Sequence, residues 1–516
     1  MDSTQIRALF IVVLAALFAI YLGVAAATAQ FEAVTWVAGF IGITFVIALG
    51  KNVWSLIPIT LVLQGTVNAL PGSPPVWAAA TAAVAVVYVM RLALRRPDFV
   101  FRIDWLDVTI LFQLLVIAQA YLRNPTGLLI LGGNVAGGKP YFVFALAIVA
   151  YFGIAFSRPS VKILKRVVVA MIFIQVADGV LLSIADRSPS ISSLILPIYS
   201  NVNLGVAMMS GGGGVDYDNS RGGAGFSLLG KAMVIPCFSL FRPLNCLSPF
   251  HPFLLLITGA GCILMMLSGF RGGFGYLGAV FIVSALIRRR YADIAVMSLV
   301  GGLMLIVIIA TGAARSLPYG MQRVLSVIPM VDVRSDARAD AANSSEWRFE
   351  MWRLAMTTDR YITSKWLGDG FAISSREMRA ISDEIMGYAP ETMNIQEKML
   401  AQGSYHGFHV ETIRFTGVVG LVAALVMMAA GFSKALKLVR FYRGDELFPF
   451  VAYICIPSLL YPFWAMFIFG SYRTEFPQFI AMAGMLKMLD NLRLSSQEGV
   501  KVEQSVAVDL RPAMVR

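Results

Sequence analysis

Two short pieces of this 516-residue chain carry side chains suited to chemistry on an anion. Ser268-Gly269-Phe270-Arg271-Gly272-Gly273 sets a guanidinium between two apolar stretches. Tyr405-His406-Gly407-Phe408-His409 leads into Thr416-Gly417-Val418-Val419-Gly420, and it contains both His406 and His409 in a chain with only 3 histidines. Each piece lies where hydrophobic sequence meets polar sequence. A cation and an imidazole at a membrane face suit reactions of a lipid-linked anion.

A charge as close to hydrocarbon as Arg271 costs ~2.5–3.5 kcal/mol at a helix centre on insertion scales. The glycines that follow it let a backbone or a ligand approach closely. The functional reading is a guanidinium that holds phosphate through paired donors. The plain alternative is an arginine snorkelling to the interface. Arg221-Gly222-Gly223 repeats the same arrangement. His406 and His409 admit three readings. His-x-x-His sets two rings on one helix face as metal ligands, but no third ligand of matching spacing follows. A histidine that titrates near neutral pH is a general base for a hydroxyl. The third reading is a hydrogen-bonded interfacial histidine. Glu411 adds a carboxylate beside the pair, and Arg414 lies one turn further in.

Gly133 to Lys139 matches the phosphate-loop pattern G-x-x-x-x-G-K, but Pro140 stands where Ser or Thr would hold magnesium. No buried strand precedes it, so nucleotide binding is rejected. Lys139 remains a candidate cation for an anionic substrate. Asp178, inside an apolar stretch, is left without a role.

The elements that must position these groups are membrane helices. Hydrophobic residues make up 58% of the chain, charged residues 14%, and the mean hydropathy is +0.73. Apolar runs of the ~20 residues that cross a bilayer recur along the chain. Expected spans are 7–29, 31–50, 52–70, 75–94, 104–122, 140–157, 161–184, 225–241, 251–268, 273–287, 291–311, 410–432, 448–469 and 474–490. Lys231 and Pro236 make 225–241 the weakest. The expected class is therefore an all-α polytopic membrane helix bundle of about 12–14 spans. Residues 1–311 form the first part of the bundle and 312–409 a large, partly helical extracytoplasmic cap. Residues 410–490 add the last spans, and 491–516 a disordered cytoplasmic tail. Four basic clusters, around Arg95, Lys162, Arg289 and Lys437, fall on one side when these spans alternate. That side is cytoplasmic, with both termini. The net charge of +12 is ordinary for a protein facing anionic lipid and implies no nucleic acid. Cys237, Cys246, Cys262 and Cys455 all lie in or beside apolar segments and read as packing residues.

A family resemblance enters on these residues. A span ending in Ser268-Gly269-Phe270-Arg271-Gly272 is followed by a span, a basic turn and another span. An outer loop then carries Glu346-Trp347-Arg348-Phe349-Glu350-Met351-Trp352 and Gly368-Asp369-Gly370. It closes with His406, 11 residues before Gly417 of a Gly-x-x-Gly helix start. Over roughly residues 250 to 430 this resembles the O-antigen ligase and O-antigen polymerase superfamily of membrane glycan transferases. Two positions depart from the family pattern: Gly407 replaces the usual Asn, and Phe415 the usual acid.

The resemblance implies a bacterial inner-membrane enzyme that is independent of metal and other cofactors and works at the extracytoplasmic face. Its donor would be a polyprenyl-pyrophosphate-linked glycan, and its acceptor a lipid or saccharide hydroxyl. Arg271, Arg348, Arg221 and Lys139 would hold pyrophosphate, His406 would be the base, and His409 and Glu411 would support it. Ligase and polymerase share these features. A non-enzymatic flippase or transporter is the third reading, although no internal repeat or charge-lined pathway is visible.

Overall fold

The computed structural model describes residues 46, 49–68, 70, 72–94, 102–126, 137–195, 199–200, 223–372, 400, 403 and 405–509. Within these, the protein is an all-α multi-pass membrane bundle. In chain order the helices are α1 (Leu56–Leu61), α2 (Val76–Ala93), α3 (Trp105–Arg123), α4 (Gly138–Ala155) and α5 (Val161–Ala185). Then come α6 (Pro189–Ile195), α7 (Gly223–Leu240), α8 (Pro252–Leu267), α9 (Arg271–Ile287) and α10 (Tyr291–Thr311). The last five are α11 (Tyr319–Leu325), α12 (Ser335–Thr357), α13 (Phe408–Phe441), α14 (Phe448–Phe467) and α15 (Glu475–Asp509). Seven of them, α2, α3, α4, α5, α10, α13 and α14, are long and apolar enough to cross a bilayer. Shorter apolar helices occupy 225–240, 252–267 and 271–287.

α10 explains why the solvent must be lipid. It has the highest hydropathy of the seven, 2.6, yet none of its spanning window is buried in the protein. Leu299, Leu303, Met304, Ile306 and Val307 all stand exposed along it. So large an apolar surface is stable only against hydrocarbon.

The expected span 52–70 is corrected. Here a 3-10 turn, Gly50–Ser55, leads into the six-residue α1, and the chain then turns back. Thr66–Val67 pairs antiparallel with Tyr199–Ser200. Gly65 permits this, because any Cβ there would lie 2.0 Å from the Tyr199 ring. Tyr199 in turn donates its hydroxyl to Asp178 Oδ1 at 2.7 Å, which gives one oxygen of that intramembrane carboxylate a partner. The spans expected at 7–29 and 31–50 lie almost wholly outside the described residues. At the other end of the chain α15 runs on to Asp509, past the expected start of a tail at 491.

One end of the bundle is tied by buried charge. Asp104 caps α3 and forms a reciprocal capping box with Asp107. Asp107 also accepts from Tyr151 and Lys487, each at 2.7 Å. Lys434 of α13 pairs with Asp104 and, at 2.8 Å, with Asp490 of α15, which also holds Arg493 at 2.8 Å. Three carboxylates face three cations, so α3, α4, α13 and α15 share one register. Removing one partner from such a buried set costs ~3–5 kcal/mol, because a charge is left uncompensated.

The other end is built on a broken helix. Inside α13, Gly417 adopts φ 74°, ψ −176°, which interrupts the helical ladder. The freed groups are satisfied by the cap segment 364–370. The Asp369 and Gly370 amides donate to the Arg414 and Phe415 carbonyls at 2.8 and 3.0 Å. The Val418 and Val419 amides donate to the Lys365 and Trp366 carbonyls at 2.9 and 3.2 Å. Gly368 comes so close that a Cβ would lie 2.4 Å from the Thr416 nitrogen. The Asp369 carboxylate accepts from Thr363, Ser364 and, at 2.8 Å, from Arg414. Arg123 and Asn124, at the end of α3, donate to the Gly368 and Asp369 carbonyls. The cap is thus sewn into the membrane helices at this point.

Candidate functional site

Arg271 is the first residue of α9, after a turn that is fixed on every side. Ser268 donates its hydroxyl to the Met265 carbonyl at 2.6 Å, and Gly269 turns with φ 71°. The Gly269 carbonyl accepts from buried Arg323 at 3.2 Å, and Arg323 pairs with Asp340 at 2.6 Å. The next residue after Asp340 completes the clamp, since Arg271 Nη2 donates to the Ala341 carbonyl at 2.8 Å.

α12 carries the site across the cap. Ala341, Ser345, Arg348 and Trp352 recur at helical spacing and share one face. Ala341 meets Arg271, and Trp352 Nε1 donates to the Tyr405 carbonyl at 2.8 Å. Arg348 lies between these contacts, and its Nε is buried without a hydrogen-bond acceptor among the described residues. Burial, then the Arg271 charge, pushes the Arg348 guanidinium below its ordinary proton affinity. The two guanidiniums are close enough to disfavour each other's charge.

His406 stands just ahead of α13 with φ 50°, a left-handed conformation uncommon outside glycine. Trp347 packs edge-on to its ring at 5.6 Å, and Phe469 lies on another side at 5.7 Å. Burial lowers its proton affinity below the ordinary 6.5, and Arg348 lowers it further. At neutral pH the imidazole is therefore a free base. At Gly407 a Cβ would lie 2.7 Å from the Trp352 indole. Phe415 stacks on Phe371 at 4.8 Å under the Arg473 guanidinium.

The structure thus brings Arg271, Arg348 and His406 together. His409 is nearby but faces Trp352, with ring centroids 4.7 Å apart, and its Nδ1 has no partner among the described residues. His406 and His409 do not share a helix face, the arrangement on which the metal reading depends. The helix begins at Phe408, and His406 sits before it with positive φ. Among the described residues no three His, Cys, Asp or Glu side chains gather as a metal site. Glu411 turns toward the loop after α14, where its carboxylate accepts from Ser471 Oγ and the Tyr472 amide, both at 2.9 Å. It braces the loop that carries Phe469. Lys139 bonds to the Ser73 carbonyl at 2.9 Å, and no contact joins it to the arginine pair. Arg221 and most of Gly133 to Lys139 lie outside the described residues.

Sequence reasoning missed Arg323, Asp340 and Phe469. Arg323 and Asp340 sit in polar loop sequence, where charges are expected and draw no attention. A charge inside an apolar run was the signal for Lys231, which interacts electrostatically with Glu475 across α7 and α15. No protein-family model matches the chain, and no curated protein matches it.

Proposed function

We propose that the protein is a membrane glycan ligase at the outer face of the bacterial inner membrane. It would transfer a saccharide from a polyprenyl-pyrophosphate carrier to an acceptor hydroxyl. The observation that carries this reading is Arg348, which interacts with Arg271 on one side and His406 on the other. An anion between the two guanidiniums offsets their mutual repulsion, and a diphosphate matches their paired donors.

The acceptor oxygen attacks the anomeric carbon of the donor sugar, and its proton passes to His406. The bond between that carbon and the pyrophosphate oxygen breaks, and polyprenyl pyrophosphate leaves with the electron pair. Arg271 and Arg348 meet the charge that develops on the leaving group. Burial and the Arg348 charge keep the imidazole neutral and ready, and Trp347 packs against its ring. Seating the diphosphate counters the Arg348 charge, so His406 becomes more basic when the donor is in place.

The test is transfer by the purified protein in lipid nanodiscs, given a polyprenyl-pyrophosphate oligosaccharide and a glycolipid acceptor. A covalent product, lost in Arg348→Gln, supports the reading. Movement of the donor across the bilayer without a product would overturn it in favour of a flippase. In a deletion strain, full-length glycan left on the carrier indicates a ligase, whereas single repeats left there indicate a polymerase.

A further inference from the structure

α9 and α13 run in the same sense from the site. Arg271 and His406 lie at one end, and at the other the Arg443 guanidinium donates to the Ile287 carbonyl at 2.9 Å. α9 has 17 residues, so the two ends are roughly 25 Å apart. At the far end a cavity of about 270 Å³ opens between the helices. Arg289, Arg440, Arg443 and Tyr291 line its mouth, and Leu436 and Val439 form part of an apolar wall.

The arginines there divide into two kinds. Arg288 donates to Ser284 and to the Ser239 carbonyl, and Arg443 to the Ile287 carbonyl. These serve helix ends, as basic groups at C-termini commonly do. Arg289 and Arg440 are exposed, and neither side chain has a hydrogen bond or ion pair among the described residues. Nearby carboxylates are engaged elsewhere. Asp293 holds Arg242 at 2.5 Å, Glu446 pairs with Lys165, and Asp445 accepts from the Leu447 amide at 2.7 Å. Arg289 and Arg440 therefore stand without a carboxylate partner among the described residues, beside exposed Leu286 and half-buried Leu436.

We propose that this cavity binds the phosphate of an anionic glycerophospholipid. Arg289 and Arg440 take the headgroup, Tyr291 sits at interface depth, and an acyl chain follows Leu286 and Leu436. Under the positive-inside expectation this is the cytoplasmic leaflet, where such lipids attract basic pockets between helices. A free phosphate would use the arginines but not the apolar wall. The site is remote from His406 and does not rest on the transferase reading.

The test uses full-length protein in nanodiscs of phosphatidylcholine, with or without phosphatidylglycerol. Lipid retained is read by native mass spectrometry, alongside thermal unfolding. Phosphatidylglycerol should be kept in preference to phosphatidylcholine and should raise the melting temperature. The pair Arg289→Gln/Arg440→Gln should weaken that preference about 30-fold, the sum of two arginine contacts at a charged surface. Arg289→Lys/Arg440→Lys keeps the charge and should keep the preference, and it carries the test alone where the glutamine pair does not fold. Equal retention of both lipids, an unchanged glutamine pair, or loss of the preference in the lysine pair overturns the proposal. So does inorganic phosphate that stabilises the protein as well as phosphatidylglycerol does.

Discussion

The indole of Trp347 stands edge-on to the imidazole of His406, with ring centroids 5.6 Å apart and planes at 87°. The contact restrains a residue whose positive φ already singles it out. His409, one turn along, has Trp352 as its neighbour instead. If His406 is the base, His406→Ala should slow transfer by ~10²–10⁴-fold while donor binding persists. His409→Ala should cost less. Transfer rates and donor affinity of the two variants, measured at equal expression, decide the ranking. The reverse order would move the role to His409.

The pH profile carries a second expectation, with a definite sign. Burial first, and Arg348 second, hold His406 below its ordinary 6.5. The active neutral form is present above that lowered value, so the acid limb of kcat/KM should fall below pH 6.5. Arg348→Gln removes the second cause and leaves the first, so the limb should move up. In the wild type the limb of kcat should lie above that of kcat/KM, because kcat reports the donor complex, in which the diphosphate counters Arg348. Limbs that coincide, and an Arg348→Gln profile that does not move, would remove His406 from the role.

What was legible in the sequence follows from the solvent. Apolar runs announce membrane helices whatever they pack against, and α2, α3, α4, α5, α10, α13 and α14 lie close to expected spans. Their packing was not legible. α10 has hydropathy 2.6 and no buried window, whereas α14 has hydropathy 1.6 and 56% of its window buried. Lipid and protein interior are equally apolar, so the period that orients a soluble helix is absent. The 52–70 stretch failed for a local reason: Gly65 receives the Tyr199 ring, and nothing in the run itself foretells a partner so distant in sequence. Arg271 and His406 were visible because each is chemically rare in its setting. The Arg323–Asp340 clamp was not, since one more ion pair in a charged loop carries no such contrast.

Arg271→Lys should lose most activity, by about 10- to 100-fold, while the protein still inserts. Arg271 Nη2 donates to the Ala341 carbonyl, and a guanidinium carries five donors in one planar fork. A lysine cannot hold the carbonyl and present paired donors to a diphosphate at once. Donor titration in nanodiscs, followed by transfer rate, separates weaker binding from a slower step. Full activity in the lysine variant would mean that the side chain serves only as a snorkelling charge.

The break in α13 yields the last expectation, and it has an internal control. At Gly417 an added Cβ would lie 2.1 Å from the Trp366 carbonyl oxygen, on a backbone with φ 74°. At Gly444 the backbone has φ 88°, but nothing lies within 4 Å of the added carbon. Gly444→Ala should therefore cost only the conformational strain, ~1 kcal/mol, the low end for a non-glycine residue in this region. Gly417→Ala adds a collision with the segment that replaces the missing helical hydrogen bonds. It should cost ~3 kcal/mol or more and release 364–370 from the helix. Thermal unfolding compares the two variants. Amide hydrogen exchange at Val418 and Val419 reads the release directly, because their donors bond to the Lys365 and Trp366 carbonyls. Equal melting temperatures and unchanged protection at those amides would mean that the cap is held by its Asp369–Arg414 pair rather than by the broken helix.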